Sequence, residues 1–557
     1  MRLVPLRRST PAAIGVLLAL LLPTLAACGT TAGIQRAPTP RVTSALPIDP
    51  AASPPSLPAG TRPNVVLILT DDLDARSLDA MPNIAALLRN GGTTFANFLA
   101  TTPLCCPSRA SVLRGQYAHN HGVLSNTGSQ GGFPAFLNGG REDSTLATWF
   151  RDAGYRTGLL GKYLNGYPKG VDSTHVPPGW DEWAAFAPTH EREDDGKPAV
   201  SYYLDYRLNE NGELVSYNAR PEAYSTDVLT AKATDFVARA AAEDRPFFLY
   251  LAPYAPHAPS TPAPRHAEAF TQASAPRSPS FDEPDVADKP AWVREKPRLT
   301  DEQIAMIDER YRQRLRSLLA VDDMVADLVA TLAAEGSLDR TFLLFTSDNG
   351  FHLGEHRLPL GKQSAYEESI RVPLLVRGPG VPAGRIVEEL ALNVDLAPTI
   401  ADLAGVPAPA FVDGRSLSPL LRGGAPAWRQ AALLELFAPN KERTRRGVTV
   451  DRAAPEESEP EEDADRTDIS PSQAPPYHAL RTTQHLYVEY DTGERELYDL
   501  RTDPYEETNL AATADSALLA AFAARLADLD GCAAAACRAA EDAPIAPRPG
   551  PSPPALP

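Results

Sequence analysis

Four unbroken apolar runs constrain this chain more than any other feature: Val65-Val66-Leu67-Ile68-Leu69, Phe247-Phe248-Leu249-Tyr250-Leu251, Phe342-Leu343-Leu344-Phe345 and Pro373-Leu374-Leu375-Val376. A strand with one wet face alternates apolar and polar residues. An uninterrupted run suits a strand buried on both faces, as in a parallel sheet. Helical stretches such as Asp322 to Ala334 fall between the runs, so the pattern predicts an α/β fold with its sheet covered by helices. Polar residues follow the first three runs: Asp71-Asp72, His257 and Asp348-Asn349. In open α/β folds the site lies beyond the carboxyl ends of the strands. The three ends therefore point to one site.

The flanking segments divide the chain. Arg2, Arg7 and Arg8 precede an apolar run from Ala12 to Leu22 that is too short to span a bilayer and reads as a signal peptide. It ends in Leu25-Ala26-Ala27-Cys28-Gly29, which resembles the lipobox of bacterial lipoproteins and predicts lipidation of Cys28. An ordinary signal peptide cut after the Ala-rich stretch is the alternative. With residues 1–28 as leader, 29–60 read as a flexible tether, holding an exported domain on the outer face of the cell membrane through the lipid alone. A catalytic domain is expected at 61–435, with a Pro-rich loop at 258–300 beside the site. The acidic stretch at 436–476 reads as a disordered insert. Residues 477–545 form a C-terminal subdomain whose alternating stretch, Tyr477 to Tyr498, predicts a small antiparallel sheet, and 546–557 are a Pro-rich tail. A net charge of −18 argues against nucleic acid as partner, because phosphate contacts need clustered Lys and Arg.

In an exported chain, Cys532 and Cys537 are predicted to form a disulfide. A continuous helix would hold their Cα atoms roughly 8.6 Å apart, too far for a bridge. The helix suggested by Leu518 to Leu529 should therefore stop near Gly531, leaving Cys106 as a spare thiol.

Three groups of residues carry candidate chemistry. Cys105-Cys106-Pro107-Ser108-Arg109 reads as a cysteine pair at a turn before a short helix, where the helix N-terminus and Arg109 would lower a thiol pKa. By residue type alone, a buried structural thiol is the commoner role. Asp71, Asp72, Asp348 and Asn349 offer the oxygen ligands that hard cations prefer, although the same residues also suit a helix N-cap and a tight turn. Lys162 follows Leu159-Leu160-Gly161 and Lys362 follows Leu360-Gly361, positions where a lysine is usually solvated.

Taken together, these motifs resemble the type I, formylglycine-dependent sulfatase family, whose signature is Cys-x-Pro-Ser-Arg. The resemblance implies an alkaline-phosphatase-like sandwich with a large mixed sheet. It implies that a formylglycine-generating enzyme converts Cys105 to formylglycine. It also implies that Asp71, Asp72, Asp348, Asn349 and the modified residue 105 hold Ca²⁺, with Mg²⁺ the alternative. Lys162 and Lys362 would contact the sulfate, His257 would stand near the leaving oxygen, and Arg109 would hold the formylglycine region. In the implied mechanism one hydroxyl of the hydrated aldehyde attacks sulfur and the second expels sulfate, a route closed to serine.

Tyr117-Ala118-His119-Asn120-His121, Gly161-Lys162-Tyr163-Leu164-Asn165 and His175-Val176-Pro177 look closest to the N-acetylglucosamine-6-sulfatase and extracellular endosulfatase branch, which implies a sulfated saccharide as substrate. Arylsulfatases carry a histidine where Leu164 stands here. His119, His121 and Asn165 are candidates for the missing base, and His352 and His356 are further pocket candidates. The rival readings are a phosphate mono- or diester hydrolase of the same superfamily and a non-catalytic lipoprotein that binds sulfated glycans.

Overall fold

A computed structural model describes residues 53–188, 202–438 and 474–545. The leader, Cys28, most of the tether, the body of the acidic insert and the tail lie outside the described residues.

The chain forms sixteen described strands. The large sheet uses β1 (Asn64–Thr70), β2 (Thr93–Phe95), β4 (Arg156–Gly161), β5 (Glu182–Ala187), β6 (Tyr206–Glu210), β7 (Glu213–Tyr217), β8 (Phe247–Ala252), β9 (Thr341–Ser347), β10 (Leu374–Arg377) and β11 (Arg385–Val387). β3 (Phe98–Leu99) and β12 (Ala391–Leu392) pair separately. The order of the ten is β11-β2-β10-β9-β1-β8-β4-β5-β6-β7. The central five, β9-β1-β8-β4-β5, run parallel. β10 lies antiparallel between β9 and β2, and the β6–β7 hairpin closes the other edge, so the sheet is mixed.

Successive side chains of a strand point to opposite faces. Val65, Leu67 and Leu69 accordingly enter one core, shared with Ala110 and Leu113 of the helix Cys105–Arg114 and Ile400 of the helix Leu396–Ala404. Val66 and Ile68 enter the other, shared with Val237 of the helix Ser225–Ala242 and Leu318 and Val325 of the helix Asp301–Ala334. The unbroken apolar runs thus fill both cores of a three-layer α/β sandwich.

The helix expected from Asp322 begins far earlier, at Asp301. Thr300 and Gln303 form a reciprocal capping box there, but the turns that follow are charged and only the second half shows the apolar stripe. The segment 258–300 is mostly irregular, as expected, yet Ala263, Ala275, Val286 and Val293 pin it to the molecule.

A second, four-stranded antiparallel sheet follows the order β13 (Ala432–Leu436), β14 (Tyr477–Arg481), β15 (His485–Tyr490) and β16 (Arg495–Asp499). The acidic segment therefore falls between two paired strands, with Ala432 opposite Arg481. Phe522, Leu526 and Leu529 of the helix Ser516–Leu529 pack on this sheet. Beyond the helix Gly531 takes φ 108°, and Cys532 and Cys537 are disulfide-bonded with Cα atoms 4.9 Å apart. Among the described residues no helix is long and apolar enough to cross a membrane.

Candidate active site

The ends of β1, β4, β8 and β9 bring their polar residues to one place. The backbone N–H of Asp72 donates to Asp348 Oδ1 at 3.1 Å, tying the ends of β1 and β9. Where β4 ends, the Lys162 N–H donates to the Ala252 carbonyl at 2.8 Å. Gly161 permits this approach, since a Cβ on it would stand 1.9 Å from that carbonyl oxygen. After β9, the His352 N–H donates to Gly361 O at 2.6 Å and closes the loop that presents Lys362.

Cys105 is the first residue of its helix, after an extended Leu104. Its Sγ lies 2.8 Å from Lys362 Nζ, 3.4 Å from Asp71 Oδ1 and 3.9 Å from Asp72 Oδ1. Cys106 instead packs in the apolar core. Lys162 Nζ stands 2.6 Å from Asp71 Oδ2, and Lys362 Nζ stands 2.7 Å from Asp72 Oδ1. Arg109, fully buried, meets Asp348 Oδ2 at 2.8 Å and Asp71 Oδ2 at 3.7 Å, and donates to the Lys162 carbonyl at 3.1 Å. His257 Nε2 faces Asp72 Oδ2 at 3.7 Å, while its Nδ1 lies 2.9 Å from the Ala258 carbonyl and 2.7 Å from the Tyr254 hydroxyl. All the predicted cluster residues (Asp71, Asp72, Cys105, Arg109, Lys162, His257, Asp348, Asn349 and Lys362) share one network of contacts.

The electrostatics correct one expectation. The helix N-terminus and neighbouring cations were expected to lower the Cys105 thiol. Burial instead pushes it well above its ordinary value against the pull of Lys162 and Lys362, and Asp71 and Asp348 add to the rise. Cys105 is therefore a neutral thiol here, a poor nucleophile as it stands. Burial also works against the charge on Asp71, but Lys162, His257, Arg109 and Lys362 outweigh it and hold that carboxyl far below the usual range. Asp72 is lowered too: burial opposes, and Lys362 and His257 prevail. Asp348 is raised to about 6 by burial and the charge of Asp71, with Arg109 opposing.

Asp71, Asp72 and Asp348 each offer a carboxylate oxygen, and these three lie within 4.8 Å of one another. Asn349 Oδ1 is buried and has no hydrogen-bond partner among the described residues. Three carboxylate oxygens and an unspent amide oxygen suit a hard divalent cation. Arg109, Lys162 and Lys362 already balance the three carboxylates, so a dication would leave the site positive and attractive to an anion.

The other candidate histidines each bond a neighbour outside the cluster. His119 bonds Glu435 at 2.7 Å and the Cys532 carbonyl at 2.9 Å. His121 bonds Ser111 Oγ at 3.0 Å, and His352 bonds Ser364 Oγ at 2.6 Å. His356 bonds Glu283 at 2.8 Å and stacks on Tyr366. The backbone carbonyl of Asn165 accepts from Phe133 N at 2.7 Å, and Leu164 is part of the apolar core.

Arg314 supports the site although no local sequence pattern marks it. It is buried within the long helix, donates to the Asp72 carbonyl and meets Asp74 Oδ2 at 3.2 Å, so it holds the Asp71–Asp72 turn from behind. Its position in the charged part of that helix gave no apolar period to mark it.

Carboxylates and cations gathered at strand ends around a helix-terminal cysteine define a hydrolase site for anionic esters. The chain belongs to the sulfatase family, whose model matches residues 63–406, and it is a sulfuric ester hydrolase. It is 37% identical over 496 residues to the N-acetylglucosamine-6-sulfatase of Homo sapiens, covering 86% of this chain and 87% of that one. It is also 37% identical over 388 residues to the extracellular sulfatase SULF-1 homolog of Drosophila melanogaster, covering 67% of this chain and 33% of that protein. Among solved structures, BT4656 in complex with its substrate D-glucosamine-2-N,6-O-disulfate aligns with TM-score 0.61 and 25% identity, covering 81% of this chain and 94% of that one. The phosphonate monoester hydrolase of Agrobacterium radiobacter aligns with TM-score 0.60 and 25% identity, covering 84% and 95%.

Proposed function

We propose that this enzyme removes sulfate from 6-O-sulfated N-acetylglucosamine-type sugars, using a formylglycine made from Cys105 by a formylglycine-generating enzyme. The observation that carries the reading is the position of Cys105, first in its helix, 2.8 Å from Lys362 Nζ and 3.4 Å from Asp71 Oδ1. Asp71, Asp72, Asp348 and Asn349, with residue 105 itself, would hold Ca²⁺, or Mg²⁺ in its place. Hydrated formylglycine and the cation together supply an oxygen nucleophile and a counter-charge for the sulfuryl group.

The chain's own groups do the rest. Lys162 contacts Asp71 and Lys362 contacts Asp72, and their ammonium groups stabilise the charge that spreads over the sulfate oxygens. Arg109 fixes the carboxylates of Asp71 and Asp348. The Ala258 carbonyl can only accept, so His257 Nδ1 keeps its proton there and Nε2 faces the cluster. In its charged form His257 presents Nε2–H to the departing sugar oxygen. With Leu164 in the core, the proton released as sulfate leaves also returns to His257.

The names of the human relative and of the BT4656 substrate support the sugar. The leader, the lipobox at Cys28 and the extracellular relatives support export to the outer face of the cell membrane. A second reading, phosphate or phosphonate ester hydrolysis, draws on the equally similar phosphonate monoester hydrolase.

The test is mass spectrometry of the Cys105 peptide from the natural host, paired with kcat/KM on N-acetylglucosamine-6-sulfate and a matched phosphate monoester. We expect an aldehyde at 105, a thiol at 106 and a preference for sulfate. Cys105→Ser should trap a sulfated enzyme or lose about 10⁴-fold or more in turnover. A thiol at 105 would end the formylglycine reading, and faster phosphate turnover would favour the second one.

A further inference from the structure

We infer that His356, Glu368 and Glu506 form a second metal site, distinct from the Asp71–Asp72–Asp348 cluster, that takes a borderline divalent ion such as Zn²⁺. One ligand atom from each of the three lies within 4.8 Å of the others. Each side chain has one heteroatom fixed by a neighbour and the other left over. His356 Nδ1 bonds Glu283 Oε2 at 2.8 Å, Glu368 Oε1 meets Arg76 at 3.1 Å, and Glu506 Oε2 accepts from Glu367 N at 3.0 Å. The remaining atoms, His356 Nε2, Glu368 Oε2 and Glu506 Oε1, are buried and have no hydrogen-bond partner among the described residues, although His356 Nε2 and Glu368 Oε2 face each other at 3.9 Å. His356 and Glu506 are themselves fully buried. Buried polar atoms are normally satisfied, and three unspent ones converging on a point call for a ligand between them.

The arrangement is that of a metal site with its supporting shell. Glu283 accepts the Nδ1 proton of His356, which turns the Nε2 lone pair towards the two carboxylates, as a carboxylate does for a metal-bound histidine. Imidazole with two carboxylates suits Zn²⁺ better than Ca²⁺, with water completing a tetrahedron. Closing the three atoms onto zinc needs a movement of under about 1 Å each. Lys362 lies between His356 and Glu368 in the chain, whereas Glu506 follows β16 of the small sheet. The ion would therefore fasten the Lys362 loop to the C-terminal part of the molecule. The alternative occupant of the gap is a proton shared by Glu368 and Glu506.

Calorimetric titration of the chelator-treated, full-length protein with Zn²⁺, in saturating Ca²⁺ to fill the first cluster, tests this. The expected result is one equivalent of Zn²⁺, with an anomalous-scattering peak at the zinc edge between the three side chains. Glu506→Gln and His356→Gln should each weaken binding at least tenfold, and Glu283→Gln by about 10- to 100-fold. A wild-type protein that binds no stoichiometric Zn²⁺ overturns the site and leaves the shared proton. So does a peak elsewhere, or an affinity unchanged in the variants. If the variants do not fold, the wild-type titration and peak decide alone. None of these outcomes touches the sulfatase reading, which stands or falls on the aldehyde at residue 105.

Discussion

Arg109 and Arg429 both have buried side chains, and both are held above their ordinary pKa by carboxylates despite burial. They serve different ends. Arg429 grips Asp395 with two nitrogens at 2.6 and 2.7 Å and meets Glu541 at 3.1 Å. Those carboxylates are otherwise spent within the protein. Asp395 also accepts from Leu392 N and Arg415 N, and Glu541 from the Tyr117 hydroxyl. Around Arg109, by contrast, the Asp71 carboxylate also faces the Cys105 sulfur, and Asn349 Oδ1 nearby has no hydrogen-bond partner among the described residues. A buried ion pair is therefore no sign of chemistry by itself. Oxygen atoms still available to a ligand are.

Replacing either arginine by Met should cost about 3–5 kcal/mol in urea unfolding without metal, because each leaves buried carboxylates uncompensated. Calcium should then separate the two. Arg109 repels a cation in the Asp71–Asp348 cluster, so Arg109→Met should gain more stability from Ca²⁺ than wild type does. Arg429→Met should gain only what wild type gains. Equal calcium responses in the two variants would break the distinction.

The same contrast explains what could be read from the sequence. Asp71-Asp72 and Asp348-Asn349 stand directly after apolar runs, and Cys105 to Arg109 form a contiguous signature, so local pattern and position coincide. The clamp joins Asp395, Arg429 and Glu541, which are dispersed along the chain with no period to relate them. His356, Glu368 and Glu506 escaped for the same reason, although His356 was noticed alone. The direction of the Cys105 shift was misread because the sequence shows which charges are near but not how completely water is excluded. β13 is short and shows no apolar–polar alternation to reveal its antiparallel partner, which lies beyond the acidic segment.

His119 stacks on the ring of Tyr117, whose hydroxyl donates to Glu541, and offers a milder test. Burial alone would lower its pKa, but Glu435 and the Cys532 carbonyl raise it from 6.5 to about 9. A raised folded value favours the native state fully below pH 6.5, and the benefit is lost as pH climbs through about 9. The contribution is at most about 3 kcal/mol. Wild type should therefore lose Tm between pH 6.5 and 9.5, and His119→Gln should lose much less over that interval. Identical slopes would mean that this histidine does not hold its proton against Glu435.

The smallest effect belongs to the disulfide. Cys532 and Cys537 close a loop of only a few residues, so the Cys532→Ala/Cys537→Ala double variant should lose about 2 kcal/mol. Its influence reaches further than the loop, because the Cys532 carbonyl accepts from His119 Nε2 at 2.9 Å and Asn120 Nδ2 at 3.0 Å. The bridge holds that carbonyl against the segment that follows the signature helix. Without it, one of the groups that raises His119 is loosened, and the alkaline midpoint should fall below the wild-type value while kcat/KM at neutral pH is unchanged. A midpoint that stays in place would reduce the bridge to a local staple. A fall in kcat/KM would join the clamp to the reaction site and undo the division drawn between the two buried arginines.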